Sequence, residues 1–199
     1  EPGRPSVRVA PSIVDMGTGM WGVIGVLSAL HRRTQTGEGQ EVDVSLFETA
    51  TTWASLLAAQ VMASGKEVEK QGSGAPGIAP YKGYGTQDGE VVIAAGSDAL
   101  FKGLCSVLGH PEWVSDARFI DNPNRVANQA VLYGLIDPLV AAQPTSHWVD
   151  ALEAAGVPCA PVNTVGQVLE HAQTQALDLI HPVPGTSMRF VALPVSLDG

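Results

Sequence analysis

The chain has 199 residues, 45% hydrophobic and 16% charged, a globular composition that excludes a disordered or low-complexity chain. Its formal charge of −9 argues against nucleic acid as a partner, because neutralising phosphates takes a basic surface. No run approaches the roughly 20 consecutive apolar residues of a membrane span, nothing at the N-terminus resembles a secretory signal, and the distant Cys105 and Cys159 fit a reduced, cytoplasmic protein.

Residues 1–11 are proline-rich and read as an extended lead-in. A helix is expected over residues 16–33, where Met20, Val23, Ile24, Leu27 and Leu30 recur at the spacing of one buried face. His31, Arg32 and Arg33 put positive charge at its C-terminus, where the helix dipole favours it. Gly37 and Gly39 mark a turn. "EVDVSL", residues 41–46, alternates Val42, Val44 and Leu46 with polar residues, as a strand with one buried face would. A second helix fits residues 47–62, with Trp53, Leu56, Leu57 and Val61 at its apolar positions.

Residues 64–80 turn polar, then rich in glycine and proline, and read as a linker followed by an ordered loop. "YKGYGT" and "EVVIAAG" flank Asp88-Gly89, a strong hairpin-turn signal. Helices are expected at residues 98–108, 125–140 and 145–155, with Ser97 capping the first and Thr145 the third. "GVPCAPVN" reads as extended, residues 165–179 as a short helix, and "HPVPG" with "MRFVALPVSL" as terminal β structure.

The stretch "DMGTGMWG", residues 15–22, contains G-x-G-x-x-G through Gly17, Gly19 and Gly22. A dinucleotide turn needs that pattern between a buried strand and a helix. Here Pro11 and Ser12 interrupt the preceding strand, and Asp15 would compete with a pyrophosphate for the helix amides. The other reading gives those amides to Asp15, either as an ordinary N-cap or as a reactive carboxylate held ionised at a helix N-terminus. A cap alone leaves Gly17, Gly19, Gly22 and Gly25 unexplained, since each weakens a helix. Such density suggests that something large approaches the backbone closely.

The segments "SIVDMGTGMWGVIGVLSALHRRTQTGEGQEVDVSL", "GSGAPGIAPYKGYGTQDGEVVIAAG", "RF" at Arg118-Phe119, "NRVAN" and "GVPCAPVNTV" resemble the class III coenzyme A transferases, the CaiB/BaiF family. The resemblance implies an α/β fold: a helix-rich large-domain segment plus a small α+β domain. It places a large-domain segment with the nucleophile helix at residues 1–64, a linker and glycine loop at 65–80, the small domain at 81–163 and a return segment at 164–199. It implies that Asp15 is the catalytic nucleophile, attacking an acyl-CoA and passing through an anhydride to an aspartyl-CoA thioester. It also implies that Gly72, Ser73, Gly74 and Ala75 form a mobile substrate-binding loop over that nucleophile, with Ser73 where some relatives carry glycine.

Coenzyme A is then a co-substrate with no tightly bound cofactor, the partners are an acyl-CoA and a small carboxylic acid, and the assembly is an interlocked homodimer. The family's N-terminal half, which supplies most CoA contacts, has no counterpart in this sequence, so the chain alone is expected to be an inactive fragment. Two alternatives stay open: an α-methylacyl-CoA racemase of the same fold, using the aspartate as acid and base, and a fragment acting only in assembly. The histidines at 31, 110, 147, 171 and 181 show no metal-ligand spacing. Trp53, Trp113 and Trp148 fit packing roles, and Trp21 stands apart from them as the tryptophan six residues beyond Asp15. Asp88 fits a turn, and Arg118 and Arg125 fit surface or interhelix pairing rather than substrate binding.

Overall fold

Apolar residues at helical spacing and a glycine stop define α1, which runs Ile13–Thr36 and extends past the expected helix at both ends. Gly37 ends it by taking a left-handed φ of 75°, and its N–H donates to Arg33 O at 2.8 Å. The computed structural model describes residue 3 and residues 5–195, and the chain divides into two units, residues 1–72 and 73–199.

In the first unit, residues 38–45 run back beside α1 towards its start. A Cβ at Gly25 would lie 2.6 Å from Val42 Cγ1, one at Gly22 would touch Val44 at 3.8 Å, and one at Gly17 would strike the Trp53 ring. Ser45 then caps α2, Leu46–Trp53, its Oγ accepting from Glu48 N at 3.2 Å. Buried Thr49 joins the two helices, its Oγ1 lying 2.9 Å from Thr18 Oγ1. α3, Ser55–Ser64, follows after Ala54 and stops at Gly65 with a φ of 66°.

Three expectations need correcting here. Residues 41–46 form no strand, because a strand needs a partner and the described residues of this unit offer none; the alternation instead presses Val42 and Val44 onto the glycine face of α1. The helix at 47–62 is two, parted at Ala54. The face of Met20, Val23, Ile24, Leu27 and Leu30 is exposed, Met20 at 64% and Leu27 at 60%, whereas Gly17 is the buried residue of α1. Small residues win that face because only they admit a second backbone so closely. With its glycines and Ser28 near neutral in hydropathy, α1 is also long and apolar enough to cross a membrane by length and composition.

The second unit is organised around a hairpin. β1, Tyr81–Gly85, pairs antiparallel with β2, Glu90–Ala94, and β2 pairs antiparallel with β3, Cys159–Pro161, giving the order β1-β2-β3. Against β2 and β3 of this sheet lies α7, Thr145–Ala154, and on α7 packs α4, Asp98–Val107, capped by Ser97. Between them come a 3-10 turn at Pro111–Ser115, α5 at Asn122–Ala127 and α6 at Gln129–Val140. Tyr84, Ile93, Phe101, Leu104, Leu132 and Ile136 fill the core. Trp113 and Trp148 are buried in it, as packing roles require.

Thr145 is not the cap of α7, a position held by Pro144. Its N–H and hydroxyl donate instead to Asp88 Oδ1 at 2.8 and 2.9 Å, tying the hairpin turn to the helix and holding the Asp88 carboxyl below its usual range. The helix expected at 125–140 is parted at Asn128, and that at 165–179 becomes α8, Val165–Glu170, and α9, Ala172–Ala176, parted at His171. A small antiparallel pair, β4 at Ile180–Pro182 and β5 at Arg189–Val191, matches the terminal β reading, of which residues 196 and 197 lie outside the described residues.

One buried cation on α5 joins three other segments of this unit. Arg125 is fully buried, and its guanidinium donates to Ala79 O at 2.9 Å, Phe119 O at 3.1 Å, Gly96 O at 2.8 Å and Asp98 Oδ1 at 2.8 Å. The guanidinium also lies 4.6 Å from the Phe101 ring centroid.

We expect Arg125→Met to cost about 3–5 kcal/mol in urea unfolding, because it strands buried carbonyls. Asp98→Asn should cost under about 1 kcal/mol, since that carboxylate is largely in water. On α1, Gly17→Val should cost about 1–3 kcal/mol by overpacking against Trp53. Gly19→Ala, where a Cβ meets nothing in this chain, should raise Tm by the gain in helix propensity, worth up to about 1 kcal/mol.

Candidate functional site

Asp15 sits in the first turn of α1, three residues after Ser12, which occupies the N-cap position without a side-chain cap bond. Asp15 is therefore a helical residue rather than the cap. The first-turn amides have no carbonyl upstream in the helix to pair with, so the positive end of α1 lies beside its carboxylate. That carboxylate is exposed and forms no hydrogen bond or ion pair with any described residue. It lines a cleft of about 270 Å³ together with Arg8, Val9, Pro11, Ser12, Ile13 and Val14.

The glycines beside Asp15 divide by role. Gly17, Gly22 and Gly25 give clearance to Trp53, Val44 and Val42 of the same chain, so their density reflects helix packing. Gly19 alone of the four faces open space. Trp21 lines a separate cavity of about 280 Å³ with Asp43, Val44, Ser45, Glu48, Thr49 and Thr52.

The glycine loop is laid along the free edge of β1. Gly72 takes a φ of 62°, a left-handed conformation that favours glycine. Ser73 Oγ accepts from Gly83 N at 3.0 Å, and Ala75 N donates to Tyr81 O at 3.1 Å, while Gly74 is half-buried between them. Further on, Asn122 clamps the chain by donating to Gly77 O at 2.9 Å and accepting from Ala79 N at 3.1 Å. Sequence reasoning saw the small residues but missed these tethers, because Gly83 and Asn122 carry no local signal of the contact.

Other conspicuous groups are committed elsewhere. Arg118 pairs with Asp116 at 2.6 Å and holds that carboxyl down at about 2, and Arg125 is spent on the core. Burial pushes the Cys105 thiol up to about 12, which keeps it protonated and out of nucleophilic chemistry at neutral pH. His110 stacks on Trp113 at 4.4 Å. Among the described residues, no group of three or more His, Cys, Asp or Glu side chains could hold a metal ion. Arg8 escaped the sequence reading, since it lies in an irregular segment where no periodicity relates it to Asp15.

Replacing Ser73 with glycine should remove the tether to β1 without disturbing the core. Amide hydrogen exchange at Gly83 should then speed by about 5- to 10-fold, the worth of one hydrogen bond. Urea unfolding should change by less than about 1 kcal/mol.

The whole chain, residues 1–199, matches the family described as CoA-transferase family III. It is 34% identical over 199 residues to the acetyl-CoA:oxalate CoA-transferase of Acetobacter aceti, covering 100% of this chain and 51% of that protein. To the mouse (Mus musculus) succinyl-CoA:glutarate CoA-transferase it is 29% identical over 206 residues, covering 98% of this chain and 47% of that protein. A crystal structure of a CaiB/BaiF family protein from Brucella suis superposes with a TM-score of 0.80 at 32% identity, covering 100% of this chain and 52% of that one. The chain thus spans about half the length of the curated relatives it matches. An α/β chain that matches one family from end to end and shares its fold is a member of it: this protein belongs to CoA-transferase family III.

Proposed function

We propose that the protein transfers coenzyme A from an acyl-CoA donor to a carboxylic acid through an aspartyl-CoA thioester on Asp15. The observation that carries this reading is the exposed Asp15 carboxylate, without a partner among the described residues, on a cleft at the start of a 24-residue helix. The names of the relatives, both CoA-transferases, favour transfer over racemisation.

The chemistry needs a carboxylate that stays ionised and reachable. Asp15 attacks the thioester carbonyl, the C–S bond breaks, and CoA leaves as a thiolate, giving an anhydride. The thiolate attacks the Asp15 side of that anhydride and releases the donor's acid, leaving the aspartyl thioester. The acceptor carboxylate then attacks this thioester, expelling the thiolate and forming a second anhydride. The thiolate attacks the acceptor-side carbonyl of that anhydride, giving the new acyl-CoA and restoring the Asp15 carboxylate. Every species is an anion or a neutral acyl group, so no proton has to be moved. Splitting the exchange into covalent steps lowers each barrier, and the α1 N-terminus favours the negative charge that develops near it.

Gly72, Ser73, Gly74 and Ala75 are proposed to bind substrate through backbone amides, which small side chains leave accessible. Coenzyme A enters and leaves as a co-substrate. Homodimeric assembly is proposed as well; the apolar side chains that α1, α2 and α3 leave exposed support it, since surface of that kind calls for cover.

Incubating the intact protein with acetyl-CoA or succinyl-CoA should add a CoA-sized mass to the peptide bearing Asp15. Asp15→Asn should abolish the adduct and slow transfer by roughly a thousandfold or more. Transfer that survives in Asp15→Asn would sink the assignment.

A further inference from the structure

We infer that Arg8 is a positioning residue that receives the carboxylate of the incoming acid at Asp15; this rests on the reading of Asp15 as the nucleophile. Of the described side chains lining the 270 Å³ cleft, Arg8 is the cation and Asp15 the anion. They share one cleft yet do not pair. Arg8 forms no ion pair with a described residue, and its Nη2 donates to the hydroxyl of Ser12 at 3.3 Å. Ser12 lines the same cleft, so this bond ties the guanidinium to a residue of the cleft wall.

Charge accounting explains why such a cation is needed. The chain carries a formal charge of −9, so an acid approaching it meets net repulsion. The arginines of α1 itself are out of reach: Arg32 bonds Glu38 and Gln40 near the opposite end, about 25 Å along the axis from Asp15 at the helical rise. While Asp15 is ionised, Arg8 faces an anion already on the cleft. Once Asp15 is a neutral thioester, that anion is gone and the guanidinium is left facing an acyl carbon. A carboxylate is then drawn to the place from which it attacks. A guanidinium presents a planar fork of donors that matches a carboxylate's two oxygens, and pairing through one oxygen leaves the other free as the nucleophile. The cleft therefore prefers its acid after the thioester forms, which orders the two half-reactions.

The test avoids the need to know the physiological acid, because a transferase of this kind also exchanges an acyl-CoA with its own free acid. In the intact protein, label exchange between succinyl-CoA and isotopically labelled succinate gives a KM for each, with acetyl-CoA and acetate used if acetyl-CoA forms the adduct instead. Arg8→Gln should raise the KM for the free acid by about 10- to 100-fold, the loss expected for a charge-assisted pair, and leave the KM for the acyl-CoA within about threefold. The Asp15 adduct should still form, and Arg8→Lys should fall between wild type and Arg8→Gln. An unchanged acid KM in Arg8→Gln overturns the inference. So does a rise in both KM values together, which would mean that Arg8 supports the fold or the CoA moiety. A wild-type protein that forms no adduct fails the Asp15 reading itself, and the role of Arg8 falls with it.

Discussion

A fully buried guanidinium is the constraint on which the second unit depends. Arg125 cannot shed its charge, so the fold must bring acceptors to it, and it draws them from Ala79, Gly96, Asp98 and Phe119. Those positions lie in the segment before β1, in the connection from β2 into α4, which supplies both Gly96 and Asp98, and in the loop before α5. One side chain on α5 thereby fixes where three other stretches of the chain stand. Asn122, one turn earlier, adds Gly77 to the same clamp. The consequence reaches the glycine loop: its far side is held by the core, its middle by Ser73 and Ala75 on the β1 edge, and it is anchored more firmly than its composition implies.

The first unit is built on the opposite device, a seam of small residues. Gly17, Gly22 and Gly25 let Trp53, Val44 and Val42 sit against the backbone of α1, and the Thr18–Thr49 contact sets the register. This spends the small face of the helix on its own chain and leaves the large apolar face uncovered. It also makes α1 a stiff mount. A carboxylate in the first turn of a packed 24-residue helix has a fixed position and a fixed field, whereas the same residue in a loop would have neither.

On the proposed reading of Asp15 as nucleophile, the arrangement around it lets a weak nucleophile and an anionic substrate share one cleft. The helix end and Arg8 supply positive charge, and no described side chain neutralises the carboxylate. The proposed chemistry would convert Asp15 from an anion to a neutral thioester and so change the charge of the cleft at the moment a second anion enters. The electrostatics and the covalent sequence are in this respect one mechanism.

Much of the local structure was legible in the residues themselves. The Asp88-Gly89 turn, the Ser97 cap and the Gly37 stop follow from backbone preferences that act within a few residues. Family membership was legible too, since it resides in the order of motifs such as "DMGTGM", "TGEGQEVDVSL" and "NRVAN". The tertiary structure decided what depends on partners distant in sequence. "EVDVSL" alternates like a strand but found no strand to pair with, and became the cover of a glycine face. The period of α1 was visible, but not that its small face would be the buried one. Arg118 and Arg125 looked alike as charges, and only the converging carbonyls of residues 79, 96 and 119 separated a surface pair from a buried clamp. Local preferences are written in short stretches of chain, whereas burial and charge pairing are properties of surfaces that exist only once distant stretches meet.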